Sequence, residues 1–168
     1  MNKLCSLLLS VLIIGSNLLV SCTVPDLKPE SQNLPSVETA RATMINFLDL
    51  LNQKKYSDAA IIFGGDLEIL RGYNPDIDPH DTGLLFERAC QFNGIQCLQL
   101  KTIVSEDQVD DHTFVFTIEY KTNQGDLFIL GPCCGATEEE MPPVSQFQMT
   151  VAYSNNAYHV LDLPPYVP

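Results

Sequence analysis

Six cysteines are the residues of this chain whose types and spacing point most directly to chemistry. Two of them belong to the N-terminus, where an apolar segment indicates export, and the other four are Cys90, Cys97, Cys133 and Cys134. An even number of cysteines in an exported domain favours disulfides over free thiols, because extracytoplasmic compartments are oxidising. Four cysteines allow three complete pairings.

The predicted strands discriminate between these pairings. Residues 98–105, 112–121 and 127–131 have strand patterns, and consecutive antiparallel hairpins would place Cys97 and Cys133 at opposite ends of a sheet. Their separation would then be on the order of 25 Å at ~3.3 Å per residue. A disulfide needs Cα atoms within ~7 Å of each other. A bridge between these two cysteines is therefore not expected.

The sequence instead favours a Cys90–Cys97 disulfide, which closes an Asn-Gly turn between a helix and a strand. Cys133 and Cys134 then form a disulfide between adjacent residues or remain thiols. Two alternatives stay open. Either the bridges cross between the two pairs, or the thiols hold zinc, although their spacing differs from the paired ligands usual in zinc sites.

A cluster of acidic residues is the second group with possible chemistry. Asp76, Asp78, His80 and Asp81 are close in sequence, and carboxylates at alternate positions can bind calcium. Because the spacing differs from an EF-hand loop, we predict a solvated acidic loop, with a weak cation site as the alternative. The sequence contains no nucleophile elbow, phosphate loop, dinucleotide fingerprint or zinc-protease motif. We therefore predict no catalytic residue, no metal and no cofactor.

The elements that position these residues follow from the spacing of the apolar side chains. Three segments have apolar residues three and four positions apart, as in amphipathic helices. The first covers residues 36–53 and begins at Ser36, a good N-cap. The second covers residues 56–63, and the third runs from residue 81 or 82 through residue 89.

Elsewhere the period shortens to two, which predicts strands. The clearest strand places Phe114, Phe116, Ile118 and Tyr120 on one face. The predicted strands are residues 67–71, 98–105, 112–121, 127–131, 146–153 and 158–163. Helices followed by antiparallel strands predict a single α+β domain over residues 36–168.

The composition excludes several classes of protein. A chain of 168 residues with 45% hydrophobic residues can build one packed core, and it is neither disordered nor fibrous. Its net charge is −12, from 9 basic and 21 acidic residues. Since phosphate binding requires clusters of Lys and Arg, no nucleic-acid partner is expected.

The N-terminus predicts where the protein resides. Residues 1–21 have a signal-peptide pattern, and the motif Leu19-Val20-Ser21-Cys22 resembles the lipobox of bacterial lipoproteins. That resemblance implies cleavage before Cys22, acylation of this cysteine, and attachment to the bacterial cell membrane or outer membrane. Residues 22–35 are rich in proline and would form an extended tether. An uncleaved transmembrane helix and an ordinary secretory signal are the alternatives.

The order of elements over residues 36–163 resembles the nuclear-transport-factor-2-like, or ketosteroid-isomerase-like, superfamily. The segment FLDLLNQKKYSDAAIIF is similar to the first helix pair of that family, with Tyr and Ala opening the second helix. The resemblance implies a cone-like, curved antiparallel sheet covered by N-terminal helices. A cystatin-like α+β roll is the alternative fold.

The isomerase-like members of that superfamily work through carboxylates and a tyrosine lining the cone. Tyr120, Tyr153 and Asp162 are the candidates for such a pocket here. No motif carries catalytic roles over to them.

Two main functions follow, and the first is a non-catalytic lipoprotein that binds a small apolar ligand or another envelope protein. The alternative is an isomerase or dehydratase using acid–base groups in the cone. An interior filled by Phe114, Phe116, Phe147 and Met149 favours binding or a structural role, whereas a buried carboxylate beside a tyrosine favours the enzyme. A metal carrier that uses the acidic loop and the thiols is a third possibility.

Overall fold

A computed structural model describes residues 35–168, which form helices followed by an antiparallel sheet. The α+β class is therefore confirmed. The predicted signal peptide, the lipobox with Cys22 and nearly all of the tether lie outside the described residues. Within residues 35–168, no helix combines the length and the apolar character that crossing a membrane requires.

In the described part of the chain, four helices precede the sheet, and the first is the longest. It begins where the Ser36 side chain accepts a hydrogen bond from the Thr39 amide, with Glu38 in the first turn, as the sequence predicts. One face of this helix is buried through an apolar stripe that includes Met44, Phe47 and Leu48. The helices are α1 (Val37–Asn52), α2 (Tyr56–Ile62), α3 (Glu68–Tyr73) and α4 (Thr82–Gln91).

The sheet is antiparallel, and its strands are ordered in space as they are in sequence. Its four strands are β1 (Gln99–Gln108), β2 (Thr113–Lys121), β3 (Phe147–Ser154) and β4 (Ala157–Val160). The turn between β3 and β4 is formed by Asn155 and Asn156, which have φ angles of 51° and 62°. Asparagine tolerates this left-handed conformation better than most residues, and it is the conformation that tight hairpins need.

The core lies between the helices and the inner face of β2 and β3. Phe114, Phe116, Ile118 and Tyr120 alternate along β2 and are at most 1% exposed, which confirms the predicted face. Across the ladder Phe116 lies opposite Met149, which is also buried. Since α1 packs against all four strands, its apolar stripe closes this core.

An aromatic cluster joins the helices to each other. The ring of Phe47 stacks on Phe63 with centroids 5.7 Å apart, and Phe86 meets both rings edge-on, at 5.9 and 5.2 Å. These geometries are the ones that aromatic rings prefer. The cluster fixes α2 and α4 against α1.

The predicted strand at residues 67–71 is wrong, because this segment begins helix α3. The amide of Glu68 donates to the Asp66 carboxylate at 2.8 Å, and the Arg71 amide donates to the carbonyl of Leu67 at 2.9 Å. Leu70 is buried in the core. A segment this short has no clear period, and the turn that the Asp66 carboxylate stabilises before the helix, together with burial of Leu70, favours the helix.

The predicted strand at residues 127–131 is also wrong. Only isolated bridges occur there, between Leu127 and Lys121 and between Leu130 and Val144. β1 covers one edge of β2, and β3 covers the other edge over residues 113–118, so only the end of β2 is left for pairing with Leu127. The segment after the hairpin loop therefore leaves the sheet, and β3 takes the place that sequence order assigned to residues 127–131.

The last residues of the chain return to the start of β1. Tyr166 bridges to Ile95, and the Val167 amide donates to the Gly94 carbonyl at 2.9 Å. Gly94 has a φ of +81°, and a Cβ built on it would lie 2.0 Å from the carbonyl oxygen of Val167. Only glycine permits both this conformation and this close approach.

Candidate functional site

The predicted Cys90–Cys97 disulfide is confirmed and forms part of a cleft. Cys90 lies in the last turn of α4, Cys97 lies just before β1, and their Cα atoms are 5.6 Å apart. Both residues are half-buried and pack against the core. The bridge therefore holds the end of a helix to the start of an edge strand.

The cleft lies at this end of the domain, and we call it the end cleft. Its volume is about 790 Å³, within the range typical of ligand sites. A smaller cavity of about 410 Å³ adjoins it and shares Asn52 and Asn123. The end cleft is lined by Leu51, Asn52, Lys54, Tyr56, Tyr73, Asn123 and residues 90–98 and 166–168.

Three aromatic side chains surround the end cleft and remain accessible. Phe92 is 73% exposed, Tyr73 is 57% exposed and Tyr166 is 44% exposed. The rings of Tyr73 and Tyr166 stack with centroids 6.4 Å apart. Partial desolvation and the neighbouring Tyr73 raise the pKa of Tyr166, so its hydroxyl is protonated at neutral pH and can donate a hydrogen bond.

The charge of the end cleft differs from that of the whole protein. The sequence has 21 acidic residues, yet none of the described residues that line the end cleft is Asp or Glu. Lys54 lines it, and Lys121 lines the adjoining cavity. The side chains that line the end cleft are therefore uncharged or basic, on a strongly acidic protein.

Tyr120, the first candidate for a pocket, is fully buried. Its hydroxyl donates to the sulfur of Met149 at 3.5 Å. Burial raises the pKa of Tyr120, and the nearby charge of Asp162 raises it further. The side chain therefore stays neutral and belongs to the core.

Asp162 and Tyr153, the other two candidates, have structural partners. The Asp162 carboxylate accepts a hydrogen bond from the Thr150 amide at 2.7 Å, which attaches the segment after β4 to β3. The ring of Tyr153 packs on Tyr158, with centroids 4.9 Å apart, and on His112. The structure thus brings Tyr120 and Asp162 near each other, and none of the three candidates lines the end cleft.

The acidic loop uses its carboxylates locally. Asp78 accepts from the His80 amide at 2.9 Å, Asp81 caps α4, and Asp76 pairs with Arg88 at 3.2 Å. Among residues 35–168, no three His, Cys, Asp or Glu side chains are grouped closely enough to hold a metal ion. Cys133 and Cys134 lie as adjacent thiols in the connection between β2 and β3.

No protein-family model matches this chain, and no curated protein matches it either. The geometry of the described residues therefore carries the functional argument. Sequence reasoning found the disulfide but missed the end cleft, because Tyr73, Phe92 and Tyr166 come from distant parts of the chain. A sequence signal that could have indicated the end cleft is Phe92, an apolar residue that follows an amphipathic helix and lies close to the predicted disulfide.

Proposed function

We propose that this chain is a lipid-anchored extracytoplasmic lipoprotein with a nuclear-transport-factor-2-like domain, which binds an uncharged segment of another envelope protein in the end cleft. The observation that carries the proposal is the end cleft itself, a concave site with exposed aromatic residues and without acidic ones. The lipobox motif that ends in Cys22 supports the anchor and the location. In this role the domain catalyses no reaction.

The aromatic residues favour a protein partner. Tyrosine and other aromatic side chains are enriched in the cores of protein interfaces, where they supply large contact areas with few rotatable bonds. Tyr73, Phe92 and Tyr166 provide such side chains. The Cys90–Cys97 disulfide and the bridge between Ile95 and Tyr166 hold the walls in place, which lowers the entropy lost on binding.

The charge distribution limits the chemistry of the partner segment. After loss of the signal peptide the net charge becomes −13, because Lys3 is removed. Acidic partners and anionic lipid surfaces are repelled by such a protein. No described Asp or Glu side chain lines the end cleft, so an uncharged segment with apolar or aromatic side chains meets no side-chain carboxylate there.

The packed interior favours this surface site over a ligand within the helix–sheet layer. Phe114, Phe116 and Met149 are each at most 1% exposed, and Phe147 contacts Tyr120 at a centroid distance of 5.6 Å. Side chains thus fill the interior between the helices and the sheet. The packing of α1 across all four strands supports the superfamily assignment.

The enzyme alternative has less support. It needs a carboxylate and a tyrosine facing a substrate, and Tyr120 faces the sulfur of Met149 instead. Asp162 is bound by the Thr150 amide, which fixes the carboxylate to the backbone. Neither group lines a described cavity.

The experiment is chemical cross-linking in intact cells, with alanine variants of the full-length protein. We expect the double variant Tyr73→Ala/Phe92→Ala to lose at least about tenfold of its cross-linked adduct, because each truncated interface aromatic can cost about 2 kcal/mol. The matched control is Ile61→Ala/Ile69→Ala, whose side chains are 77% and 70% exposed outside the end cleft. Equal adduct levels in the two double variants would contradict the proposal.

A further inference from the structure

Cys133 and Cys134 lie in a tight turn whose backbone is unusual for cysteine. The amide of Ala136 donates to the Cys133 carbonyl at 3.0 Å, which closes a four-residue turn. Its two central residues, Cys134 and Gly135, have φ angles of 62° and 89°. Such a pair of positive angles belongs to type I′ turns, where glycine and asparagine are usual. A cysteine in this conformation is uncommon, and such outliers cluster at functional sites.

The turn places the two thiols in contact. Their sulfur atoms are 2.8 Å apart, compared with about 2.05 Å in a disulfide bond. The hydrogen bond to Cys134 raises the pKa of the Cys133 thiol, so Cys133 keeps its proton more strongly. Very little motion therefore separates the two thiols from a covalent bond.

The surroundings leave the pair accessible. Cys134 is exposed and Cys133 is half-buried. A Cβ built on Gly131 or on Gly135 would meet nothing within 4 Å, so no other described residue packs against these two glycines. The Cys90–Cys97 disulfide differs, because both of its cysteines pack against the core.

We propose that Cys133 and Cys134 form a thiol–disulfide exchange site, whose substrate is an exposed disulfide on a small thiol compound or on a protein. The inference goes beyond the binding function and does not depend on it. Reactive cysteines are partly exposed and exposed disulfides are labile, whereas buried structural cysteines are inert.

The exchange proceeds in two balanced steps. The Cys134 thiolate attacks one sulfur of the incoming disulfide and forms a mixed disulfide with it. The S–S bond of the substrate breaks, and the leaving sulfur takes the electron pair and a proton from water. Cys133 then loses its proton and attacks the sulfur of Cys134, which releases the second thiol. Two electrons pass from the pair to the substrate, and the products are an adjacent-residue disulfide and two thiols.

The test uses the full-length protein equilibrated with graded ratios of reduced and oxidised glutathione. After alkylation of free thiols, mass spectrometry of the peptide that contains residues 133 and 134 should show two forms only. One form carries two alkyl groups, and the other carries none and is lighter than the reduced peptide by two hydrogen atoms. The Cys90–Cys97 bridge should stay oxidised over the range in which the pair converts.

Single variants separate the two roles. Cys133→Ser should accumulate a stable glutathione adduct on Cys134, because no second thiol resolves it. Cys134→Ser should form the adduct on Cys133 at least about fivefold more slowly, since Cys133 is less accessible than Cys134. Two alkyl groups at every glutathione ratio, or independent adducts on both cysteines of the unsubstituted protein, would overturn the proposal.

Discussion

The Tyr120 hydroxyl donates its hydrogen bond to the sulfur of Met149, at 3.5 Å, inside the core. Tyr120 is fully buried, and its side chain packs beside the ring of Phe147. A thioether is a weak acceptor, so the hydroxyl gains little from this bond. Tyr120, which the family resemblance made a candidate for acid–base chemistry, is therefore a packing residue.

We predict that Tyr120→Phe makes the protein more resistant to alkaline unfolding. Burial raises the pKa of Tyr120 above its ordinary value of about 10. A group whose pKa is raised by folding stabilises the protein fully below its unfolded pKa, and this stabilisation is lost as pH rises. Between pH 9 and 11 the unsubstituted protein should lose about 1.4 kcal/mol more free energy of unfolding than the variant. Urea unfolding at the two pH values measures the difference.

The control for this prediction is Met149→Leu, which removes the acceptor but keeps the phenol. Because the substitution nearly conserves volume, the variant should fold. It should lose as much free energy of unfolding at alkaline pH as the unsubstituted protein. If Tyr120→Phe and the unsubstituted protein lost equal free energy of unfolding between pH 9 and 11, ionisation of the phenol would not destabilise the fold.

The elements with a strong local signal were predictable from the sequence. Ser36 supplies a side-chain cap, and a regular apolar stripe follows it, so α1 was predicted within one residue at its C-terminal end. The alternation from Phe114 to Tyr120 likewise predicted β2 and its buried face. In both cases the local preference and the tertiary packing agree.

The errors concern segments whose structure depends on competition between partners. Residues 127–131 have a strand pattern, but β3 occupies the edge of β2 that they would need. Which of two segments pairs with an edge depends on distant contacts, and a local pattern contains no record of them. The strand order assumed for the cysteine distances was therefore incorrect, although the Cys90–Cys97 pairing it favoured is confirmed.

The end cleft was beyond sequence reasoning for a similar reason. Tyr73 belongs to α3, Phe92 follows α4, and Tyr166 lies near the end of the sequence. The sequence around each residue gives no sign of the other two. They meet because residues 166 and 167 return to Gly94.

We predict that Cys90→Ala/Cys97→Ala lowers the thermal midpoint by about 5–10 °C. The bridge closes a loop whose ends are 7 residues apart, and the chain-entropy model gives it about 2.5 kcal/mol. In a domain of this size each kcal/mol changes Tm by about 2–4 °C. Differential scanning calorimetry of the full-length variant measures the change.

The matched control is Cys133→Ala/Cys134→Ala, which removes two cysteines without opening a long loop. Its Tm should change by less than about 2 °C, because adjacent residues close almost no loop. A larger change in this control than in Cys90→Ala/Cys97→Ala would show that Cys133 and Cys134, and not the bridge, stabilise the fold.

We predict that Cys22→Ser abolishes lipid attachment and signal cleavage, because only a thiol forms the thioether that the signal peptidase requires. Growth with an alkyne-labelled palmitate, followed by coupling to a fluorophore, detects the lipid. Cys5→Ser is the matched control, since Cys5 lies within the segment to be removed and its loss should leave labelling unchanged. Two results would contradict lipid attachment at Cys22. One is undiminished label in Cys22→Ser, and the other is an uncleaved membrane-spanning form as the only species of the unsubstituted protein.

Site-specific photo-cross-linking in intact cells tests the binding proposal most directly. A photoreactive phenylalanine analogue replaces Phe92 in the end cleft, or Ile61 on α2 as a site of similar exposure. Residue 92 should yield an adduct with one extracytoplasmic protein, attached through a segment without acidic residues, and the yield should fall at least about tenfold when Tyr73→Ala is added. Residue 61 should yield no such adduct. Equal adducts at both positions, or an adduct at residue 92 that Tyr73→Ala leaves unchanged, would contradict binding in the end cleft.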